Sequence, residues 1–172
     1  MHRIFLIGYM GAGKTTIGKV LARRLDLSFI DLDLFIEQRY HKSVSVLFDE
    51  KGESKFREIE RLMLHEVSEF ENVIISTGGG TPVFYDNMEF MNRTGCTIYL
   101  EVACDLLTDR LKKNSDKRPL IAGKSTDELR VFIAKNLEHR SAYYENAKIR
   151  ISIDDEKESI DEIISRVIQK LG

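Results

Sequence analysis

The sequence predicts an α/β fold, a three-layer α/β/α arrangement in which helices cover both faces of a five-stranded parallel sheet. Short apolar segments alternate with longer amphipathic segments along all 172 residues. Two of the apolar segments, 4–7 and 73–75, contain no polar residue, which is typical of strands buried on both faces. Pro82 and Pro119 fall between the predicted elements, so neither of them interrupts a strand or a helix.

Each element follows from a local pattern. The predicted strands are 3–7, 28–31, 73–76, 97–101 and 148–153. The predicted helices are 14–26, 34–41, 53–70, 84–92, 103–113, 126–144 and 158–171. In helix 53–70 the apolar residues recur at helical spacing, which predicts a core-facing set of Phe56, Ile59, Leu62, Met63, Val67 and Phe70. Because no linker or repeat is visible, residues 1–172 are expected to form one domain.

The composition argues against several classes of protein. Charges of both signs are interspersed and the net charge is −2, which leaves no electrostatic footprint for nucleic acid or an anionic membrane. No apolar stretch approaches the ~18 residues of a membrane span, and no secretory signal is recognisable. Cys96 and Cys104 have neither metal-ligand spacing nor the density of a disulfide framework. We therefore expect a cytoplasmic protein, with a monomer as the default.

A glycine-rich loop stands between the first strand and the first helix. Residues 8–15, Gly-Tyr-Met-Gly-Ala-Gly-Lys-Thr, fit the pattern G-x-x-x-x-G-K-[ST] in the strand-to-helix context that it requires. Its glycines allow backbone N–H groups to cradle phosphate oxygens, and the helix start adds partial positive charge. This predicts binding of a nucleoside triphosphate, with Lys14 at the β- and γ-phosphates and the Thr15 hydroxyl on Mg²⁺. A turn that only connects the strand to the helix would explain the glycines, but it would not explain a Lys-Thr pair at the start of the helix.

The ends of the next two strands carry further candidate residues. Ligands of open parallel sheets lie outside the carboxyl ends of the strands. Strand 28–31 ends there at Asp31, and Asp33 lies just past it. These acids fit a metal shell and a substrate hydroxyl, although Asp33 could instead be the N-cap of the following helix. Strand 73–76 leads into the triplet 78–80, whose glycines suggest a backbone that approaches a ligand. The alternative is a flexible connector.

These residues give the chain a resemblance to the shikimate kinase family, and the resemblance covers nearly all of its length. Five motifs match in order, namely the loop 8–15, Asp31-Leu32-Asp33, Phe56-Arg57-Glu58-Ile59-Glu60, Gly78-Gly79-Gly80 and Arg118-Pro119-Leu120. A sixth feature is Arg140, shortly before Tyr143-Tyr144. The resemblance implies a P-loop fold of the nucleoside monophosphate kinase type with a short lid. It also implies ATP-dependent phosphorylation of the 3-hydroxyl of shikimate, in the pathway to chorismate and the aromatic amino acids.

The family pattern also implies roles for individual residues. Arg57 and Arg140 would clamp the carboxylate of shikimate, since guanidinium groups match a carboxylate fork. Asp33 would bind the hydroxyls, and whether it also removes a proton is left open. The remaining substrate contacts would come from Gly78, Gly79 and Gly80. Asp31 would join Thr15 at Mg²⁺, and the remaining contacts to the nucleotide would come from Gly11, Ala12, Gly13, Lys14, Thr16, Arg110 and Arg118.

The roles of the two arginines, and of two phenylalanines near them, have structural alternatives. Arg57 could pair with Glu53 or Glu60 on a solvated helix face, and Arg140 could pair with Asn136 or with groups near Glu145. Phe48 and Phe56 would form an apolar wall beside the substrate ring, or they could belong only to the core. The acceptor-binding helices are expected at about 33–62.

The polar, basic segment 112–124 is expected to be the lid. In the family pattern its Arg118 would reach the phosphates and act in catalysis with Lys14 and Asp33, while Arg110 would lie against the adenine. A solvated surface loop is the alternative for this segment. For the whole chain, the alternatives are another small-metabolite kinase, of the gluconate or nucleoside monophosphate type, and a non-catalytic nucleotide-binding regulator.

Overall fold

The structure, a computed structural model, describes residues 2–113 and 121–172. Its strands are β1 (Arg3–Ile7), β2 (Ser28–Asp31), β3 (Val73–Ser76), β4 (Cys96–Val102) and β5 (Ile149–Ile153). Its helices are α1 (Lys14–Leu25), α2 (Leu32–Tyr40), α3 (Val44–Val67), α4 (Asn87–Thr94), α5 (Cys104–Lys112), α6 (Thr126–Tyr144) and α7 (Ile160–Leu171). A 3₁₀ turn, Thr81–Val83, precedes α4.

The five strands form one parallel sheet in the order β2-β3-β1-β4-β5, which confirms the predicted fold class. β1 lies in the middle, and its side chains alternate between the two faces. Ile4 and Leu6 pack in a core with residues of α1, α5, α6 and α7, whereas Phe5 and Ile7 pack in a second core with residues of α2, α3 and α4. Because helices cover both faces, the four residues that follow Arg3 in this strand are all apolar and buried.

The loop after β1 requires glycine for both conformation and space. Gly8 has φ +144°, and a Cβ there would lie 2.7 Å from the carbonyl oxygen of Leu100. Gly11 and Gly13 also have positive φ, of 81° and 91°. The chain therefore turns back over the end of the sheet before α1 begins at Lys14.

Helix α3 begins well before the predicted start at residue 53. Ser43 caps it by accepting a hydrogen bond from the N–H of Val46 at 3.2 Å, and Gly52 interrupts it with φ 76° and ψ 165°. The prediction that Leu62 and Phe70 face the core is wrong, because their exposures are 64% and 48%. Phe70 lies beyond the end of the helix, and Leu62 points away from its buried side.

Two other helix starts differ from the prediction. α2 begins at Leu32, and its N-cap is Asp31, whose Oδ1 accepts from the N–H groups of Asp33 and Leu34. The alternative that Asp33 caps this helix is therefore wrong, because Asp33 is already in the first turn. α4 begins at Asn87 rather than at 84, since Phe84 is extended at the end of the 3₁₀ turn and Asp86 is the N-cap of α4.

In the parts of the chain that the structure describes, no helix is both long and apolar enough to cross a membrane. The predicted lid, 112–124, falls mainly on residues 114–120, and Arg118 therefore lies outside the described residues.

Candidate active site

A cleft of about 440 Å³ opens at the carboxyl ends of the first three strands of the chain. It lies between the loop after β1, the end of β2 and the loop after β3, the edge at which parallel sheets bind ligands. Its lining residues are Met10, Gly11, Gly13, Lys14, Thr15, Thr16, Asp31, Asp33, Ser76, Thr77, Gly78, Gly79, Arg110 and Leu111. Most of the predicted nucleotide residues therefore meet in one place, whereas the side chain of Ala12 belongs to the core.

Lys14 is held against the loop that precedes it. Its side chain is buried, and Nζ donates hydrogen bonds to the carbonyl oxygens of Gly8 at 2.8 Å and Tyr9 at 3.0 Å. The guanidinium of Arg110 approaches the same loop from α5, where Nη1 lies 3.4 Å from the carbonyl oxygen of Gly11. Two cations thus flank a loop whose geometry suits phosphate oxygens.

Thr15 and Asp31 form an oxygen-rich pair on the floor of the cleft. The Thr15 hydroxyl donates to Asp31 Oδ2 at 2.7 Å, and Asp31 Oδ1 caps α2, so both oxygens of this carboxylate have fixed positions. Within residues 2–113 and 121–172, no cluster of three or more His, Cys, Asp or Glu side chains could hold a metal ion. A hydroxyl and one carboxylate nevertheless fit Mg²⁺ well, because that ion usually keeps waters and substrate phosphates as its other ligands.

Asp33 is an acid in an unfavourable environment. Its pKa is raised from 3.8 to about 6, chiefly by burial and to a lesser extent by the neighbouring carboxylates of Glu60 and Asp31, with Lys14 opposing them. Its Oδ1 lies next to the glycine triplet, where a Cβ on Gly78 would be 3.2 Å away. A carboxylate with such a pKa can accept a hydrogen bond, and near neutral pH it can exchange a proton.

Arg57 forms the ion pair that the structural alternative proposed, but not on a solvated face. Its Nη1 donates to Glu60 Oε2 at 2.8 Å, and its side chain is 12% exposed. Glu60 is buried and also accepts from the Thr81 hydroxyl at 2.7 Å. A Cβ on Gly80 would lie 2.7 Å from Arg57 Nη2, so the guanidinium rests directly against the triplet.

Arg140 reaches the same triplet from α6. A Cβ on Gly79 would lie 3.3 Å from its Nη1, and its Cζ lies 5.3 Å from the centre of the Tyr9 ring. Burial raises the pKa of Tyr9 to about 12, so this ring is neutral beneath the cation. Across the described residues Arg140 forms no salt bridge with Glu145 or with any other acid. The two predicted clamp residues therefore face adjacent glycines.

Some residues of the site were not assigned from the sequence. Tyr144 is fully buried, and its hydroxyl donates to the carbonyl oxygen of Gly79 at 2.5 Å, which fixes the middle of the triplet. Thr81 and Glu60 join the triplet to α3. The spacing of Arg57 and Glu60 on one helix gave a signal for Glu60, whereas Tyr144 was named only as part of the Tyr143-Tyr144 pair that follows Arg140. Phe56 belongs to the core, and Phe48 is half-buried beside it, with ring centres 4.9 Å apart.

The site combines a phosphate-binding loop with the carboxylates of Asp31 and Asp33 and with two convergent guanidinium groups, all at one edge of the sheet. This combination is typical of a P-loop phosphotransferase with a small anionic acceptor. The sequence model of the family described as "Shikimate kinase" matches residues 10–172. A shikimate kinase of Parabacteroides distasonis is 56% identical, with 99% of each chain covered. The chain belongs to the shikimate kinase family.

Solved structures agree with this assignment. The shikimate kinase of Bacteroides thetaiotaomicron is 54% identical with a TM-score of 0.94, and the match covers 99% of this chain and 98% of that one. The shikimate kinase of Acinetobacter baumannii, solved in complex with shikimate, is 28% identical with a TM-score of 0.86. That match covers 99% of this chain and 93% of the other, so the fold of the family extends over the whole chain.

Proposed function

We propose that the chain carries out the reaction of its family with the residues gathered in and beside this cleft. The reaction is the ATP-dependent transfer of a phosphoryl group to a hydroxyl of shikimate. The assignment of residues rests mainly on the positions of Arg57 and Arg140, whose guanidinium groups lie at adjacent glycines of the triplet. Asp33 lies next to the same triplet, and Lys14 lines the same cleft. In this proposal the phosphorylated group is the 3-hydroxyl.

The nucleotide binds on the loop 8–15. Backbone N–H groups around Gly11 and Gly13, together with the start of α1, surround the phosphates, and the Lys14 ammonium neutralises charge on the β- and γ-phosphates. Arg110 lies beside this loop and contacts the adenine side of the nucleotide. Arg118, outside the described residues, is assigned to the transferred phosphoryl group on the family pattern alone.

Thr15 and Asp31 are the residues that would hold Mg²⁺. Their mutual hydrogen bond of 2.7 Å keeps two oxygen donors together at the entrance of α1. When bound, the ion supplies positive charge that stabilises the phosphate oxygens. The contribution of the chain is to fix the two donors, since Asp31 is also tied to the first turn of α2.

The acceptor binds next to the glycine triplet. The shikimate carboxylate lies between the guanidinium groups of Arg57 and Arg140, whose planar forks match its two oxygens. Asp33 then accepts a hydrogen bond from the attacking hydroxyl, and the backbone of 78–80 supplies further polar contacts. These contacts place the hydroxyl oxygen in line with the γ-phosphorus, which is the main contribution of a protein to phosphoryl transfer.

Asp33 is the proposed acceptor of the hydroxyl proton. The hydroxyl oxygen forms a bond to the γ-phosphorus, the bond to the β–γ bridging oxygen breaks, and ADP leaves. The proton passes to Asp33, whose pKa of about 6 leaves it mostly ionised at neutral pH yet basic enough to take the proton late in the reaction. Lys14 counters negative charge on the leaving phosphate.

We also propose that residues 1–172 form one kinase domain with the acceptor-binding helices at 33–62 and the lid at 112–124. In this proposal the enzyme is a cytoplasmic monomer. ATP as donor supports the location, and a site assembled from residues of one chain supports the monomer.

Steady-state kinetics of two arginine variants test the assignment. Arg57→Lys and Arg140→Lys keep the charge but lose the fork, so the KM for shikimate should rise by about tenfold or more while the KM for ATP changes little. Arg130→Lys is the matched control, because Arg130 lies on the same helix as Arg140 and is 60% exposed. Unchanged shikimate KM in both site variants would contradict the clamp.

A further inference from the structure

One aromatic ring outside the assigned site lies against the guanidinium of Arg57. Phe84 follows the 3₁₀ turn Thr81–Val83, and the centre of its ring is 4.2 Å from Arg57 Cζ. In the described part of the chain, this is the shortest contact between a cation and an aromatic ring. Phe48 and Phe56 also surround Arg57, but their ring centres lie at 5.7 Å and 5.4 Å.

The polar contacts of Arg57 do not by themselves fix the plane of its guanidinium. Among the described residues, the hydrogen bond to Glu60 is short, at 2.8 Å, whereas the contact to the exposed Glu53 is 3.5 Å long. Nε is buried and has no hydrogen-bond partner in the described structure. Both carboxylates belong to the same helix as Arg57. A single short hydrogen bond acts as an axis about which the group can turn, so a further contact is needed.

The segment 80–84 provides that contact from outside α3. Gly80 leaves the space in which the guanidinium rests, since a Cβ there would lie 2.7 Å from Nη2. Thr81 holds Glu60 through its hydroxyl at 2.7 Å. Phe84 then places the face of its ring near the guanidinium, a favourable contact for a planar cation. The chain that follows the glycine triplet therefore holds both members of the Arg57–Glu60 pair.

We propose that Phe84 is a positioning residue for the acceptor. Its ring fixes the orientation of the Arg57 guanidinium so that the fork faces the shikimate carboxylate before the acceptor arrives. This inference rests on the proposed role of Arg57 as a carboxylate ligand. Phe84 acts through Arg57 and not through the nucleotide site, so its influence is confined to acceptor binding.

Kinetics of Phe84→Leu and Phe84→Tyr test the proposal in the full chain. Leucine keeps apolar volume but has no aromatic face, and it should raise the KM for shikimate by about 3- to 10-fold with the KM for ATP unchanged. Tyrosine keeps the face and should leave both constants within about twofold of wild type. Melting temperatures verify that each variant is folded, and Phe84→Met takes the place of leucine if that variant does not fold.

A double-mutant cycle with Arg57→Lys then identifies the route of the effect. Lysine cannot stack as a planar group, so adding Phe84→Leu to it should raise the shikimate KM by less than about twofold. The same increase in both backgrounds, an equal rise in the KM for ATP, or no change in Phe84→Leu would overturn the proposal. If Arg57→Lys itself leaves the shikimate KM unchanged, the proposed role of Arg57 as a carboxylate ligand is contradicted, and so is this inference.

Discussion

Replacing Asp33 by Asn should make the ligand-free protein more stable and nearly inactive. Burial, with smaller contributions from the carboxylates of Glu60 and Asp31, raises the pKa of this carboxyl from 3.8 to about 6. A shift of about two units corresponds to roughly 3 kcal/mol against the ionised form. Because Asp33 opens onto the cleft, we expect about 1–3 kcal/mol to be recovered when the charge is removed.

The pH dependence gives the direction of this effect. The pKa of Asp33 is higher in the folded state than in the unfolded state, so the ionised side chain destabilises the fold. This destabilisation has its full size above about pH 6. The penalty decreases as the pH falls through about 6 and is absent below the unfolded-state pKa of 3.8. The stability advantage of Asp33→Asn should therefore be largest at about pH 8 and should shrink towards about pH 4.5.

Urea unfolding of both proteins at a series of pH values, without ligands, measures this difference. The exposed Asp49 supplies the control variant Asp49→Asn, which should change stability by less than about 0.5 kcal/mol at every pH. In parallel, kcat of Asp33→Asn should fall by about 10²-fold or more, because the amide cannot take the hydroxyl proton. A variant that is less stable than wild type at about pH 8, or whose difference does not vary with pH, would refute this reasoning.

Two other substitutions test the construction around the glycine triplet. Gly80→Ala should raise the KM for shikimate by about tenfold or more, because its Cβ would occupy the space of the Arg57 guanidinium at 2.7 Å. The backbone at φ −89° itself accepts alanine, and a loss of ATP affinity would contradict this account. Tyr144→Phe should lower stability by about 1–2 kcal/mol, because the carbonyl of Gly79 loses its donor. Thermal unfolding should show a decrease of about 2–8 °C, and an unchanged melting temperature would argue against that hydrogen bond.

The parts of the fold that follow from local patterns were predicted from the sequence. The residues of β1 from Ile4 to Ile7 are all apolar because helices cover both of its faces, and the loop after it follows a known spacing motif. The strand, the turn and the start of α1 could therefore be predicted without a structure. Asp31 and Asp33 were placed at the correct edge for the same reason, since they directly follow a strand. Which of the two caps α2 was not evident, because either position allows an N-cap.

The remaining errors have tertiary causes. Glu60 is buried between Arg57 and Thr81. The prediction from apolar spacing assumed that acidic residues face solvent, and it therefore placed Leu62 on the core side of α3 instead of Glu60. The first part of α3 was missed because Gly52 breaks the helical geometry within it. Tyr144 contacts a residue 65 positions away, and no local spacing rule predicts such a contact.

The measurement that tests the central claim most directly is the release of ADP from ATP and Mg²⁺ by the purified chain, with and without shikimate. The account predicts release that depends on shikimate and that falls by about tenfold or more at low shikimate in Arg140→Lys, whereas Arg130→Lys behaves as wild type. Release that requires gluconate or a nucleoside monophosphate instead would contradict the acceptor site built from Arg57, Arg140 and Asp33. Binding of ATP without release in the presence of any of these acceptors would contradict catalysis itself.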